Sequence, residues 1–150
     1  MTQKLKYLIV DGHSVIHAWP DLLRLHRAVS KRHLARLGLL NRLRLLQDMS
    51  GERVVVVFDG TGSRTSEERE NEGLQIFYAD AKATADTIVE RLAVKYAALN
   101  PLTVVSADGM VRDSALASGA EWMSPDALDQ RCKMAEKQCA DRVARLFVRK

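Results

Sequence analysis

Along the chain, short apolar runs alternate with longer stretches in which leucine, alanine and valine recur every three or four positions. The first run, residues 5–10 (LKYLIV), stops at Asp11-Gly12, which predicts a buried strand followed by a turn. Pro20 suits the first turn of a helix reaching about Val29, and Ser30 is placed to cap a second helix to about Met49. Leu34, Leu37, Leu40, Leu43, Leu45 and Leu46 form its expected apolar stripe, and Ser50-Gly51 closes it. Residues 53–58 (RVVVVF) predict a strand covered on both faces, followed by a loop over 59–63 and an exposed acidic stretch from Glu67 to Glu72. Leu74–Tyr78, Leu102–Ser106 and Glu121–Met123 predict three further strands. Thr84 is a cap for a helix over Ala85–Leu99, with Ile88, Val89, Leu92 and Tyr96 facing inward. Asp108–Ser118 predicts a helix stopped by Gly119, and Ser124-Pro125 opens a last one towards Phe147. Strands alternating with helices indicate an α/β fold: a parallel sheet with helices on both faces. No linker, repeat or low-complexity segment interrupts it, so residues 1–150 are expected to form one domain.

Composition narrows the class. Apolar residues make up 47% of the 150 residues, which argues against disorder. No run approaches the roughly 20 apolar residues of a membrane span, and the N-terminal apolar segment is too short for a signal peptide. A cytoplasmic location is the expectation. Cys132 and Cys139 fall about two helical turns apart, too far for a mutual disulfide, and nothing beside them suggests zinc.

The net charge of +4 is modest, but its distribution is uneven. Arg24, Arg27, Lys31, Arg32, Arg36, Arg42 and Arg44, with His26 and His33, follow one another with no acid between Asp21 and Asp48. Such a segment fits a polyanionic partner, although a solvated helix face has the same composition.

Ligands of open parallel sheets bind outside the carboxyl ends of the strands. Here three predicted strands run into an acid at that end: Asp11, Asp59 and Asp108. Asp86 falls in the first turn of a helix, and Asp113 follows Asp108 by five residues. Carboxylates gathered on one rim repel each other unless a cation neutralises them, and hard oxygen ligands favour Mg²⁺ or Mn²⁺. Each acid also has a plainer reading. Asp59 and Asp108 can cap helices or make turns, Asp86 can answer a helix dipole, and Asp113 can be a surface residue. The string FDGT is similar to the DxDGT motif of haloacid-dehalogenase-like phosphatases, but the nucleophile position is Val57 and the strand is the second. GTGS lacks the GK[ST] ending of a P-loop.

Four segments together resemble the YacP-like NYN domains, a branch of the PIN-like nucleases: LIVDGHSVIHAWPDL, VVVVFDGTGS, ATADTIVERLA and VVSADGMVRDSALASGAEWMSPDAL. The resemblance spans nearly the whole chain. It implies a three-layer α/β/α PIN-like fold with a five-stranded, mainly parallel sheet in the order 3-2-1-4-5. It places the metal-binding acids on Asp11, Asp86 and Asp108 with Asp113 assisting, leaves Asp59 as a ligand, a supporting group or a turn former, and implies one or two Mg²⁺ or Mn²⁺ ions. The activity it implies is metal-dependent endoribonuclease cleavage; in-line attack by a metal-bound water is then expected to leave a 5′-phosphate and a 3′-hydroxyl.

One position departs from the family. Members commonly read DGYN where this chain has Asp11-Gly12-His13-Ser14. Ser14, taken as a site residue, lacks the reach and second polar group of a carboxamide. His13 stands where an aromatic is usual and is expected on the surface or in packing, and Trp19 in the core, with stacking on a base the alternative for each ring. Arg24, Arg27, Lys31, Arg32 and Arg36 are expected to hold RNA phosphates, with single-stranded or locally unpaired RNA as substrate. A second reading, of a different class, is an RNA-binding or ribosome-associated module with a weakened or inactive site, which Ser14 favours and the acid set opposes. A third is a toxin-like nuclease held by a partner.

Overall fold

The computed structural model describes residues 5–59, 66–69, 73–79 and 84–148, with the backbone alone at 66–69. Among the described residues six strands form one sheet: β1 (Tyr7–Asp11), β2 (Arg53–Asp59), β3 (Ser66–Arg69), β4 (Gln75–Ala79), β5 (Leu102–Val105) and β6 (Glu121–Met123). Their order is β3-β4-β2-β1-β5-β6. Five are parallel, and among themselves they run 3-2-1-4-5 as expected. The sixth, β3, pairs antiparallel with β4 at the edge. It was not anticipated, because Ser-Glu-Glu-Arg carries no β-branched or aromatic residue. The expected exposure of side chains 67–72 and the loop over 60–63 lie outside the described residues.

Strand periodicity sorts the core into two halves. Leu8, Val10, Val54, Val56 and Phe58 face one side of the sheet, while Ile9, Val55, Val57 and Val104 face the other. On the first side pack α1 (Gly12–Ala18), α2 (Pro20–Arg27), α3 (Arg32–Ser50) and α6 (Pro125–Val148). On the second pack α4 (Ala85–Ala97) and α5 (Gly109–Ala117). The result is three layers, α/β/α. Cys132 is buried, Cys139 is half-buried, and both are free. Among the described residues no helix is long and apolar enough to cross a membrane.

Three local expectations are corrected. Asp11-Gly12 opens helix α1 rather than a turn, because the Asp11 carboxylate accepts the Ser14 N–H (3.5 Å) and caps that helix. Ser30 lies in a 3-10 turn over Val29–Lys31, and α3 begins at Arg32 without a side-chain cap. The buried face of α3 is Ala35, Leu39, Leu40, Leu43, Leu46 and Gln47, whereas Leu34 and Leu37 are exposed. Leucines occupy nearly every face of this segment, so spacing alone did not select the inner one. Gln47 belongs inside because its Oε1 accepts the Val54 N–H at 2.9 Å, joining the helix to the start of β2.

Candidate functional site

The parallel order reverses direction between β1 and β5, the place where such sheets bind ligands. Val10 pairs with Val105 there, so the next residues, Asp11 and Ser106, stand side by side at the carboxyl rim. A depression of about 540 Å³ opens above them, lined among others by Asp11, Ser14, Asp59, Asp86 and Asp108. These acids come from the ends of β1 and β2, the first turn of α4 and the N-cap of α5.

Gly12 lets this rim form. A Cβ on it would lie 2.5 Å from Phe58 Cε1 and 3.0 Å from the Val57 carbonyl oxygen, so only glycine allows α1 to start against β2. Asp11, beside it, is 3% exposed. Its Oδ2 accepts the Ser106 hydroxyl at 2.9 Å. Ser106, itself fully buried, also accepts the Asp108 N–H at 3.0 Å, so one hydroxyl ties two of the acids together. Burial pushes the Asp11 carboxyl up to about 6, against the pull of the Ser106 hydrogen bond and with the charge of Asp86 adding to the rise. Burial, then the nearness of Asp108, raises Asp86 in the same direction.

The other acids have local partners. Asp108 caps α5 by accepting the Met110 N–H at 2.8 Å. Asp59 accepts the Ala85 N–H at 3.1 Å and so fixes the start of α4, the helix that carries Asp86. Ser14 accepts the Ala107 N–H, bridging α1 to the loop after β5. Asp113 does not line the depression. It is exposed and lies 3.3 Å from the Arg112 guanidinium, because α5 turns it away from the rim. Asp86 and Asp108 stand close enough to share a side-chain hydrogen bond, which adds to the rise at Asp86, and the charge of Asp86 reaches Asp11. Among the described residues, the trio whose ligand atoms all lie within 4.8 Å of one another is His13, His17 and His26.

Residues 8–148 match the YacP-like NYN domain. The chain belongs to this family. It is 33% identical over 87 residues to "Uncharacterized protein YacP" of Bacillus subtilis (strain 168), which is 57% of this chain and 50% of that protein. The match thus spans half the length of that curated relative. The crystal structure of Rae1 (YacP) from Bacillus subtilis superposes with a TM-score of 0.78 at 27% identity, covering 95% of this chain and 82% of that one. A tryptophan-to-leucine mutant of the same protein gives 0.77 at 28% identity, covering 96% and 84%.

The basic segment of this NYN domain divides into two groups. Arg24, Arg27, Lys31 and Arg32 are exposed and Arg36 is half-buried. Arg24 lies 3.8 Å from Asp21, and Arg32 donates to the His26 carbonyl oxygen at 3.1 Å. Arg42 is structural: its guanidinium bonds Asp129 and Glu136 at 2.7 Å each and lies 4.6 Å from the centre of the Trp19 ring. Trp19 is in the core, as expected, with its Nε1–H donated to the Pro125 carbonyl at 2.9 Å. His13 and His17 line the acid depression. Burial lowers His13 and His26, and the neighbouring histidines and arginines lower them further, while Asp59 pulls His13 back up.

Two contributors were not singled out from sequence. Ser106 had a legible signal, a serine two residues before an acid at a strand end, which is the spacing of a side-chain turn. His26 had none, because only the bend between α1 and α2 returns it to His13.

Proposed function

We propose that this NYN domain is a metal-dependent endoribonuclease, with residues 1–150 forming one such domain and RNA as its partner. The observation that carries the reading is Asp11. A carboxyl group buried at the switch point of a parallel sheet, and raised by burial and a neighbouring acid, is costly unless a cation or a proton offsets it. The donor set is all carboxylate oxygen, which suits Mg²⁺ or Mn²⁺ better than zinc. Asp11, Asp86 and Asp108 would hold one or two such ions, which when bound supply water activation and charge neutralisation for phosphodiester hydrolysis.

The chain's own residues would do the rest. Ser106 holds Asp11 and the start of α5 in one register, and Asp59 sets α4 so that Asp86 faces the rim. Ser14 keeps its hydroxyl hydrogen for a phosphate oxygen or water while accepting from Ala107. Arg24, Arg27, Lys31, Arg32 and Arg36 would hold the RNA backbone by charge, without reading bases. Asp113, paired with Arg112, would act at most from outside the depression.

The test is cleavage of an unstructured RNA before and after chelation, with Mg²⁺ or Mn²⁺ added back. Loss, recovery and 5′-phosphate products are expected. Cleavage that persists in chelator, or that leaves cyclic phosphate ends, would remove this reading. A second reading, an RNA-binding or ribosome-associated module with a weakened site, is favoured by Ser14 in place of asparagine. It predicts RNA binding with no cleavage under any metal.

A further inference from the structure

We propose that His13, His17 and His26 form a second metal site, for a first-row transition cation of the zinc class, on the rim beside the acid depression. The inference goes beyond the nuclease reading and does not depend on it. His13 and His17 stand four residues apart on α1, so both project from one face of that helix. His26 comes from α2 and completes a triangle with ring centroids 4.9, 5.1 and 5.0 Å apart. One ring nitrogen from each residue lies within 4.8 Å of the other two.

The arrangement is held from beneath. Trp19 ends α1 and begins α2, is buried, and is pinned through its indole to Pro125. Pro20 fixes the first turn of α2. Leu22 is buried against α3 at a point where Gly38 leaves no room for a Cβ, which would sit 2.9 Å from Leu22 Cδ2. The bend that presents His26 to α1 is therefore set by core packing, on two helices and not on a loop.

Imidazole nitrogens select zinc, nickel, cobalt or copper over the Mg²⁺ or Mn²⁺ that carboxylates favour. Around a tetrahedral ion with nitrogen ligands at about 2.0–2.1 Å, ligand nitrogens sit roughly 3.3 Å apart. Closing the present triangle to that size moves each ring inward by about 1 Å, within the reach of side-chain rotation. Three protein ligands leave the fourth position open. His13 and His17 also line the acid depression, so an ion held by them would sit beside it. The Asp59 carboxylate, 3.8 Å from His13 Nδ1, lies where a supporting acceptor for a metal-bound histidine belongs. It also offsets the positive charge of Arg32 and Arg36 nearby.

The test is a Co²⁺ titration of the tag-free chain followed by visible absorption, with Zn²⁺ as competitor. One equivalent of Co²⁺ should give ligand-field bands of low coordination number, which Zn²⁺ abolishes. A pair of histidines on one helix binds such ions weakly by itself, so His26 decides the matter. His26→Ala should weaken Co²⁺ and Zn²⁺ binding by at least about 100-fold, the upper end of what even a supporting residue costs. His17→Ala should do the same, while Asp11→Asn and Cys139→Ser leave the bands in place. Thermal melts of the histidine variants should match the wild type, because His17 is exposed and His26 half-buried. Absence of bands in the wild type, bands that survive His26→Ala in a folded protein, or bands lost in Asp11→Asn or Cys139→Ser would each overturn the site.

Discussion

The Ser106 hydroxyl donates to Asp11 Oδ2 at 2.9 Å at the end of the β1–β5 pair, where the strand order reverses. The Ser106 hydroxyl oxygen in turn accepts the Asp108 N–H at 3.0 Å. Two acids from different strands are therefore registered by one buried side chain. Ser106→Ala leaves a buried carboxylate oxygen and a backbone N–H without their partner, which costs about 1–3 kcal/mol. Denaturant melts should show that loss, and RNA cleavage should fall with it. A variant as stable and as active as the wild type would mean that the link is incidental.

Asp11 makes the metal-free protein pH-sensitive. Its carboxyl is raised from 3.8 to about 6, so the folded state holds its proton more tightly than the unfolded chain does. The protein is then most favoured while Asp11 is protonated. Stability contributed by that proton is lost as pH rises from about 4 to about 6, to a limit of about 3 kcal/mol. Asp11→Asn removes this slope, and in EDTA at pH 7 it should be about 1–2 kcal/mol more stable than the wild type after allowing for its poorer fit to two donors. Melts across pH 4–7 check this, and parallel curves for the two proteins would contradict it.

How much of this could be read from sequence differs by element. The five parallel strands were legible because each is a short apolar run bounded by turn residues, and Thr84 and Ser124 cap helices as their positions suggest. The acids at strand ends followed from the fold. Helix α1 was not legible, since Asp11-Gly12 has the composition of a turn and becomes a helix start only when Gly12 meets Phe58. The inner face of α3 was hidden by leucines on several faces, and β3 by its polar side chains. Arg42 looked like one more member of a basic run until α6 supplied Asp129 and Glu136.

Gly12 should tolerate no side chain. The added Cβ of Gly12→Ala would stand 2.5 Å from a ring that is itself fully packed. A cost of about 1–3 kcal/mol is expected from overpacking. Phe58→Leu should recover part of it in the double variant, a coupling that a double-mutant cycle reads directly. Additive losses would place the strain elsewhere.

Reversal of Arg32 and Arg36 to Glu should weaken RNA binding and flatten its salt dependence. Each lost phosphate contact lowers the log–log slope by about 0.7 for a single strand. The single-turnover rate at saturating RNA should change little, because these side chains bind ground and transition states alike. An unchanged slope would make the segment an ordinary solvated face.

Ser14→Asn should raise turnover if a carboxamide beside Asp11 positions water or phosphate better than a hydroxyl does. The serine oxygen already accepts from Ala107, so the longer side chain must keep that contact through its carbonyl. A rate equal to or below the wild type would show that the rim is fitted to serine.

RNA hydrolysis is proposed to rest on Asp11, Asp86 and Asp108 together. Its most direct test is single-turnover cleavage of one unstructured RNA by the wild type and by Asp11→Asn, Asp86→Asn and Asp108→Asn, in saturating Mn²⁺, with RNA affinity measured on the same samples. Each variant should bind RNA and lose activity by on the order of 100-fold or more. Cleavage by all three variants at the wild-type rate would contradict it.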